Sequence, residues 1–170
     1  MPTEWDIVPL NQNHERANFD CGEPVLNDYL ARYARQNQKR GIARTFVAAP
    51  PSQPLSVFGY YSLTVGSLQK TDLPLTAVKR LPNFPVPIVR LARLAVELGM
   101  QGRGLGEDLL IDSLHRCLKI ADEAGLFAVV LDAKHDRAKA FYARYEFEQL
   151  PDQPLTLWLP LTAIRRLFCE

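Results

Sequence analysis

The sequence lacks the features that would send this protein into a membrane or out of the cell. Its longest purely apolar run, residues 126–131, is far shorter than the roughly 20 residues that a membrane-spanning helix needs. The N-terminus carries Glu4 and Asp6 instead of the basic flank and apolar stretch of an export signal. We therefore expect a cytoplasmic protein with no membrane partner.

Cysteine is also scarce, and its positions form no recognisable pattern. Cys21, Cys117 and Cys169 are odd in number, widely separated and free of any CxxC or Cys/His ligand spacing. The sequence thus predicts neither a disulfide scaffold nor a bound metal, and it fits a reducing compartment. The histidines match no metal or triad spacing and are expected to be surface or capping residues: His14, His115 and His135.

The composition is that of a globular protein. The chain has 170 residues, of which 47% are hydrophobic and 23% are charged. These values lie far from the low hydrophobicity and high charge of chains that stay disordered. Because this length suits one ordinary domain better than two, we expect residues 1–170 to form a single domain.

The net charge of +1 conceals an uneven distribution along the chain. Residues 1–28 carry six acidic side chains against Arg16, residues 29–96 carry ten basic side chains against Asp72, and residues 97–170 carry twelve acidic and nine basic ones. A basic segment of this kind suits a surface that meets a polyanion or an acidic partner chain. The alternative is an ordinary solvated face whose charges pair with the acidic parts of the same fold.

The pattern of apolar residues predicts a mixed α/β fold. On the first helix, Leu26, Leu30, Tyr33 and Ala34 are expected to share the apolar face, and Gly41 to end the helix. The predicted elements are, in chain order, a strand at 5–9, a helix at 23–40, strands at 45–49, 57–63 and 88–98, a helix of about 20 residues from Leu105, a buried strand at 126–132, a helix capped by Asp136 and a last strand at 155–161.

A glycine-rich loop lies between a predicted strand and the long helix. Four of the nine glycines fall within residues 99–106. Glycines let successive N–H groups point into one concavity, and the following helix adds its unpaired N-terminal donors, so the loop is expected to hold an anion such as pyrophosphate. It matches neither a nucleotide-triphosphate loop nor GxGxxG, which disfavours a nucleotide hydrolase and a Rossmann dehydrogenase. A helix start made tight for packing alone is the alternative.

The loop resembles that of the GNAT acyl-CoA N-acyltransferases. Gln101-x-x-Gly104-x-Gly106 after a strand matches their Q/R-x-x-G-x-G/A pattern. From about residue 5 to residue 161 the chain is similar to a narrower branch, the GNAT toxins of bacterial type II toxin-antitoxin modules. The segments that carry this resemblance are Phe19-x-Cys21-Gly22, Leu26-Asn27-x-Tyr29-Leu30, Ala43-Arg44-Thr45-Phe46-Val47, Gly59-Tyr60-Tyr61-Ser62-Leu63, Pro85-Val86-Pro87, Leu91-Ala92-Arg93-Leu94-Ala95-Val96 and Ala140-Phe141-Tyr142.

The resemblance implies a GNAT fold, with helices around a central, mostly antiparallel sheet that splays open. It also implies that acetyl-CoA is the co-substrate. The residues implied for the coenzyme pyrophosphate are Gly102, Arg103, Gly104, Leu105 and Gly106. Those implied for the pantetheine are Leu94, Ala95 and Val96, and the expected coenzyme site also includes Gln101 and Phe141.

The resemblance makes Tyr142 the general acid for the leaving thiolate. Because a thiol with a pKa of about 8.5 leaves readily, the proton is needed only late in the reaction. Without the resemblance, the spacing favours a core aromatic beside Phe141 and Tyr145. A backbone N–H near Ala95 or Val96 is expected to meet the oxyanion, and no general base stands out.

The toxin branch acetylates the α-amino group of aminoacyl-tRNA and blocks translation, so the resemblance also implies a substrate. The basic segment supports this independently, since binding phosphates requires clustered Lys and Arg. The side chains expected to contact tRNA are Arg32, Arg35, Arg44, Arg90 and Arg93. The branch further implies a homodimer and a ribbon-helix-helix antitoxin, whose complex with the toxin binds operator DNA.

Two other functions stay open at this point. A GNAT enzyme that acetylates a small amine or a protein N-terminus would share the loop and Tyr142 but would need no nucleic acid. A non-catalytic RNA-binding module would use the glycine loop only to hold a phosphate.

Overall fold

The computed structural model describes residues 4–83 and 85–169. The strands are β1 (Asp6–Pro9), β2 (Arg44–Ala49), β3 (Gly59–Leu68), β4 (Val86–Val96), β5 (Ala128–Asp132), β6 (Glu148–Leu150) and β7 (Gln153–Pro160). The α-helices are α1 (Pro24–Asp28), α2 (Ala34–Lys39), α3 (Leu75–Val78), α4 (Leu105–Ala124), α5 (Asp136–Ala143) and α6 (Leu161–Phe168). A π-helical turn covers Tyr29–Tyr33, and 3-10 turns cover Lys70–Asp72 and Leu98–Met100.

The strands form one seven-stranded sheet in the order β1-β2-β3-β4-β5-β7-β6. The ladder between β4 and β5 is parallel, whereas β1–β2, β2–β3, β5–β7 and β6–β7 are antiparallel. This arrangement confirms the predicted mixed α/β class with a mostly antiparallel sheet. Among the described residues, no helix combines the length and apolar character needed to cross a membrane.

Contacts divide the chain into two compact units. The first comprises the chain up to Thr64 together with Ala92–Ser113, and the second comprises Val65–Leu91 and the chain from Leu114 onward. Each unit has its own buried apolar cluster, around Leu30 and Tyr60 in the first and around Ile88 and Val130 in the second. The expectation that the whole chain is one domain stays a prediction.

The first helical stretch is built from α1, the π-helical turn and α2. Leu26, Leu30 and Ala34 are buried, as predicted. The predicted place of Tyr33 on the apolar face is wrong, because Tyr33 is 48% exposed while Tyr29 is buried. A π turn holds more residues than an α turn, so it changes which side chains follow one another along the buried face.

Gly41 ends this stretch with the hydrogen bonds of a Schellman motif. Its φ is +73°, its N–H donates to the Gln38 carbonyl at 3.2 Å, and the Ile42 N–H donates to the Asn37 carbonyl at 2.9 Å. Glycine adopts this left-handed conformation without the steric cost that a Cβ adds. The predicted helix end is therefore confirmed.

Two details of the second unit differ from the prediction. The cap of α5 is His135, whose Nδ1 accepts a hydrogen bond from the Ala138 N–H at 3.1 Å, whereas Asp136 lies within the first turn. The predicted Asp136 cap is therefore wrong by one residue, because His135 is the last residue with an extended backbone. Strand β6 was not predicted; it is three residues long and pairs with β7 through an irregular register.

Gly59 allows a close approach within the first unit. An ideal Cβ at this position would lie 2.9 Å from Leu109 Cδ1, 3.1 Å from Leu105 Cδ2 and 3.0 Å from the Ala95 carbonyl oxygen. Leu105 and Leu109 belong to the first turns of α4, and Ala95 lies near the end of β4. The missing side chain therefore lets the start of α4 pack directly on the sheet.

We predict that G59A lowers the free energy of unfolding by about 1–3 kcal/mol, because the new methyl group overpacks this contact. Urea denaturation measures the effect. The matched control is G66A in the same strand, where the added Cβ would lie 3.7 Å from Ile88 Cγ1, an ordinary contact. Equal loss of stability in the two variants would contradict the close-packing role of Gly59.

Candidate active site

The glycine loop has the left-handed backbone that its composition indicates. Gly102 has a φ of +81° and Gly104 a φ of +86°, a region that side chains with a Cβ rarely adopt. A Cβ added to either residue would meet no atom within 4 Å. Packing therefore does not require glycine at these positions, whereas the backbone conformation does. The alternative of a loop made tight for packing alone loses its support.

The start of α4 presents unpaired donors next to this loop. The Asp108 N–H donates to the Gly104 carbonyl at 3.1 Å, which is the first hydrogen bond of the helix. The N–H groups of Leu105, Gly106 and Glu107 precede it and have no acceptor within the helix. The twenty-residue helix adds the positive end of its dipole. Open space, left-handed glycines and these donors together fit a pyrophosphate.

The side chain of Gln101 connects the glycine loop to two neighbouring segments. Its Nε2 donates to the Cys21 carbonyl at 3.2 Å and to the Val96 carbonyl at 3.0 Å. These two bonds use both hydrogens of the side-chain amide. The side chain of Gln101 thus holds the loop to the end of β4 and to the turn at Cys21, while the expectation that Gln101 takes part in coenzyme binding stays a prediction.

The residues expected to line the pantetheine lie at the end of β4. The parallel ladder with β5 is registered over Ile88–Arg90, and β4 continues beyond it to Val96. Leu94, Ala95 and Val96 thus lie past that ladder, which leaves their main-chain groups on that side unused by it. This is the arrangement that a splayed strand requires, and it supports the predicted role of these three residues.

Tyr142 lies on α5 within an aromatic cluster of the second unit. Its ring is 5.1 Å from the Phe141 ring and 5.7 Å from the Phe147 ring, both edge to face. Burial raises the pKa of the Tyr142 phenol to about 12, so this phenol keeps its proton at neutral pH. A proton donor and a packed aromatic are both present in this side chain, and its assignment as general acid stays a prediction.

Two of the five arginines expected to contact tRNA, Arg90 and Arg93, lie on β4 and have partners in the structure. Arg90 Nη1 lies 3.0 Å from Asp132 Oδ2, and Asp132 Oδ1 accepts a hydrogen bond from the Thr156 hydroxyl at 2.8 Å. The Arg93 guanidinium lies 3.5 Å from the centre of the Tyr29 ring, a cation–π contact. These partners hold both side chains in place.

The other three arginines lie on the first helical stretch and on β2. Arg32 forms an exposed ion pair with Asp28 at 3.0 Å, four residues apart, which contributes little stability. Arg35 is partly buried, and Arg44 is exposed at the first position of β2. Arg44 is thus exposed to solvent, and its expected contact with tRNA stays a prediction.

The described part of the chain contains no group of three or more His, Cys, Asp or Glu side chains that could hold a metal ion. Cys21 and Cys117 are buried, and burial raises the pKa of the Cys117 thiol to about 12. A thiol with this pKa is not a nucleophile at neutral pH.

Sequence reasoning gave no role to Asn27, whose side chain bonds to Asp20 and to the Cys21 N–H in the turn before α1. Cys21 and Gly22 of this turn, and Asn27 itself, belong to segments that carried the family resemblance without a stated role. That resemblance was the signal that could have identified them.

Comparison with known proteins identifies related sequences over most of the chain. The family described as Acetyltransferase (GNAT) domain matches residues 77–163. A tRNA-acetylating toxin of Mycobacterium tuberculosis is 42% identical over 150 residues, which are 88% of each chain. A probable toxin TacT of Sinorhizobium fredii is 32% identical over 170 residues, covering 95% of this chain and 93% of the relative.

Solved structures show the same fold. A crystal structure of a tyrosine-to-phenylalanine mutant of KacT aligns with a TM-score of 0.92 and 28% identity, over 98% of this chain and 100% of that one. AtaT complexed with acetyl-methionyl-tRNAfMet aligns with a TM-score of 0.90 and 25% identity, over 97% and 99%. AtaTR bound with AcCoA aligns with a TM-score of 0.85 and 25% identity, over 98% and 99%.

We predict that G104V weakens acetyl-CoA binding at least tenfold, because valine is strained at a φ of +86° and the N–H groups of the loop would turn away from their common direction. Calorimetry measures the affinity, and the melting temperature shows whether the variant folds. The control is G99V, where an added Cβ also meets open space but the backbone is not left-handed. Unchanged affinity in folded G104V would remove the loop from the coenzyme site.

Proposed function

Because the chain belongs to the GNAT acetyltransferase family, we propose that it is a toxin that transfers the acetyl group of acetyl-CoA to the α-amino group of aminoacyl-tRNA and thereby blocks translation. The observation that carries this proposal is the similarity, over most of both chains, to a tRNA-acetylating toxin. The left-handed glycine loop at the start of α4 gives that similarity a physical site.

The chain binds its acyl donor through main-chain groups. In the proposed site, N–H groups of Gly102–Gly106 bind the pyrophosphate, and main-chain groups of Leu94–Val96, which lie past the ladder with β5, align the pantetheine. Phe141 would add an apolar side chain near the catalytic residue, which follows it on α5. Acetyl-CoA supplies the activated acetyl group, and no metal takes part in the proposed reaction.

Tyr142 supplies the proton that the reaction needs at sulfur. The neutral amine of the aminoacyl ester forms a C–N bond to the acetyl carbon, the C–S bond breaks, and the amine loses one proton to water. Tyr142 donates its phenolic proton to the departing sulfur and recovers one from solvent. Because burial raises the pKa of Tyr142 to about 12, the donor is protonated throughout the neutral range. A backbone N–H near Ala95 or Val96 would stabilise the oxyanion.

The proposed substrate also requires contacts to phosphates. We assign these contacts to the basic segment. Arg44 is the leading contact, and Arg32 and Arg35, which precede it in the chain, add further contacts. Arg90 and Arg93 would contribute from fixed positions, because Asp132 and Tyr29 hold them. A metabolite acetylase would not need such a segment.

The proposal includes partners and a location. We expect an antitoxin of the ribbon-helix-helix class that neutralises the toxin and binds operator DNA together with it. We also expect a homodimer, and activity in the cytoplasm, where charged tRNA is found.

The test is incubation of the protein with labelled acetyl-CoA and total tRNA charged with mixed amino acids. We predict that label enters charged tRNA and not uncharged tRNA, and that Y142F lowers the turnover at least a hundredfold. The Y142F variant removes one hydroxyl and little volume, so its affinity for acetyl-CoA and its melting temperature should stay close to those of the wild type.

Each alternative function has its own outcome in this experiment. Acetylation of free amines or peptides without any dependence on tRNA would indicate a metabolite or protein acetyltransferase. Binding of tRNA without any transfer would indicate a non-catalytic RNA-binding module. Near-wild-type turnover of Y142F would return Tyr142 to the aromatic core.

We predict that R44E raises the KM for charged tRNA severalfold and reduces the slope of log KM against log salt by about one unit, because one phosphate contact is lost. Acetyl-CoA affinity should not change, since neutral backbone donors bind the coenzyme. The control K119E reverses one exposed charge outside the basic segment. If both variants show the same KM and slope as the wild type, Arg44 belongs to an ordinary solvated surface.

A further inference from the structure

The turn at Asp20–Gly22 lies in one of the segments that carry the family resemblance, yet the proposed function gives it no role. Its neighbours along the chain are buried Phe19 and the start of α1. The turn lies in the same unit as the glycine loop, and hydrogen bonds connect the two.

Asn27 holds the turn through both ends of its side-chain amide. Its Oδ1 accepts a hydrogen bond from the Cys21 N–H at 2.8 Å, and its Nδ2 donates to Asp20 Oδ1 at 2.9 Å. Asp20 Oδ1 also accepts from the Gly22 N–H at 2.9 Å. These hydrogen bonds lower the pKa of Asp20, so its carboxylate is charged at neutral pH. One side chain on α1 thus bonds directly to Asp20 and Cys21, and Asp20 in turn accepts the Gly22 N–H.

The Asp20–Gly22 turn also supports residues 98–101, the segment that leads into the glycine loop. The Asp20 carbonyl accepts a hydrogen bond from the Leu98 N–H at 2.9 Å, and the Cys21 carbonyl accepts one from Gln101 Nε2 at 3.2 Å. At Gly22 an added Cβ would lie 3.1 Å from Leu98 Cδ2, so the two segments touch there as well. All three residues of the turn therefore contact residues 98–101.

The loop itself lies at the surface. Gln101, Gly102, Arg103 and Gly104 are exposed, and the two glycines have open space around them. Such a loop would sample many conformations unless its entry is fixed, and ordering it on binding would reduce affinity. Fixing residues 98–101 in advance limits that loss.

We propose that Asn27 is a positioning residue for coenzyme binding: through the Asp20–Gly22 turn it fixes Leu98 and Gln101, and so holds the glycine loop in its binding conformation before acetyl-CoA arrives. This inference rests on the proposed coenzyme site. Asn27 itself contacts neither the glycine loop nor β4 in the hydrogen bonds described above, so it acts through the turn.

The main test compares the variant N27A with N37A. N27A removes both amide hydrogen bonds and adds no charge, whereas N37A removes a different bond of the same helical stretch, from Asn37 Nδ2 to the Tyr29 hydroxyl at 3.3 Å. Calorimetry gives the affinity for acetyl-CoA. Hydrogen exchange of the ligand-free protein follows the Leu98 amide, and kinetics at saturating acetyl-CoA give kcat. If N27A does not fold, N27S is measured in its place with the same expectations.

We expect N27A to weaken acetyl-CoA binding at least fivefold and to speed exchange at Leu98, with kcat at saturation within twofold of the wild type. N37A should leave affinity and exchange unchanged. The double variant D20N/N27D again places an amide beside a carboxylate, and it should bind acetyl-CoA within threefold of the wild type. N27D alone sets two carboxylates against each other and should bind at least tenfold more weakly.

Two results would overturn the inference, and they can be told apart. If the wild type binds acetyl-CoA and N27A binds it equally well with unchanged exchange at Leu98, then Asn27 only stabilises the fold. If the wild type itself does not bind acetyl-CoA, the proposed coenzyme site fails and this inference fails with it.

Discussion

Binding an anion through main-chain amides requires a backbone whose N–H groups are accessible to the ligand. It also requires contacts on the opposite side that fix the conformation of this backbone. Gly102 and Gly104 fit the first requirement, because they carry no side chain and adopt a left-handed conformation. Gln101, the turn at Cys21 and the close contact of α4 at Gly59 meet the second. In the proposed site, these contacts of the first unit support the two glycines.

In the proposed site, main-chain groups bind the coenzyme and a side chain supplies the proton. The chemistry of the reaction explains this difference. Main-chain donors are neutral and fixed, so they can bind a coenzyme without changing their state with pH. In the proposed reaction only the departing sulfur needs a proton, and burial raises the pKa of the Tyr142 phenol to about 12, so this phenol is protonated across the neutral range. An acyl transfer of this kind needs no covalent intermediate on the enzyme, which agrees with buried, protonated Cys117.

Regular elements with strong apolar periodicity were predictable from the sequence. Helix α4 begins at Leu105 and has the expected length, and Gly41 ends the first helical stretch as its position indicates. Tyr33 was misplaced because a π-helical turn leaves no mark in a pattern read with 3.6 residues per turn. Strand β6 was missed because it is three residues long and carries Glu148 and Gln149.

The glycine loop was predictable because its cause is local in the sequence. The Asn27 network was not predictable, because it forms only in the folded chain. Clustered glycines need a local cause, whereas an asparagine that bonds to a turn seven residues away acquires its role only when the chain folds. The ties of Arg90 to Asp132 and of Arg93 to Tyr29 are equally non-local. Counting charges along the sequence identifies such arginines. It does not show which of them already have an ion-pair or cation–π partner in the fold.

The two hydrogen bonds of Gln101 also explain why the loop pattern of this family permits glutamine or arginine at its first position. Both side chains end in a planar group with at least two N–H donors, and two separate carbonyls, of Cys21 and Val96, must be reached at once. Glutamate has the length of glutamine but presents oxygens to those carbonyls, and methionine presents no donor at all. The choice at this position is thus decided by the number of hydrogens that the side chain can direct backward, into the protein.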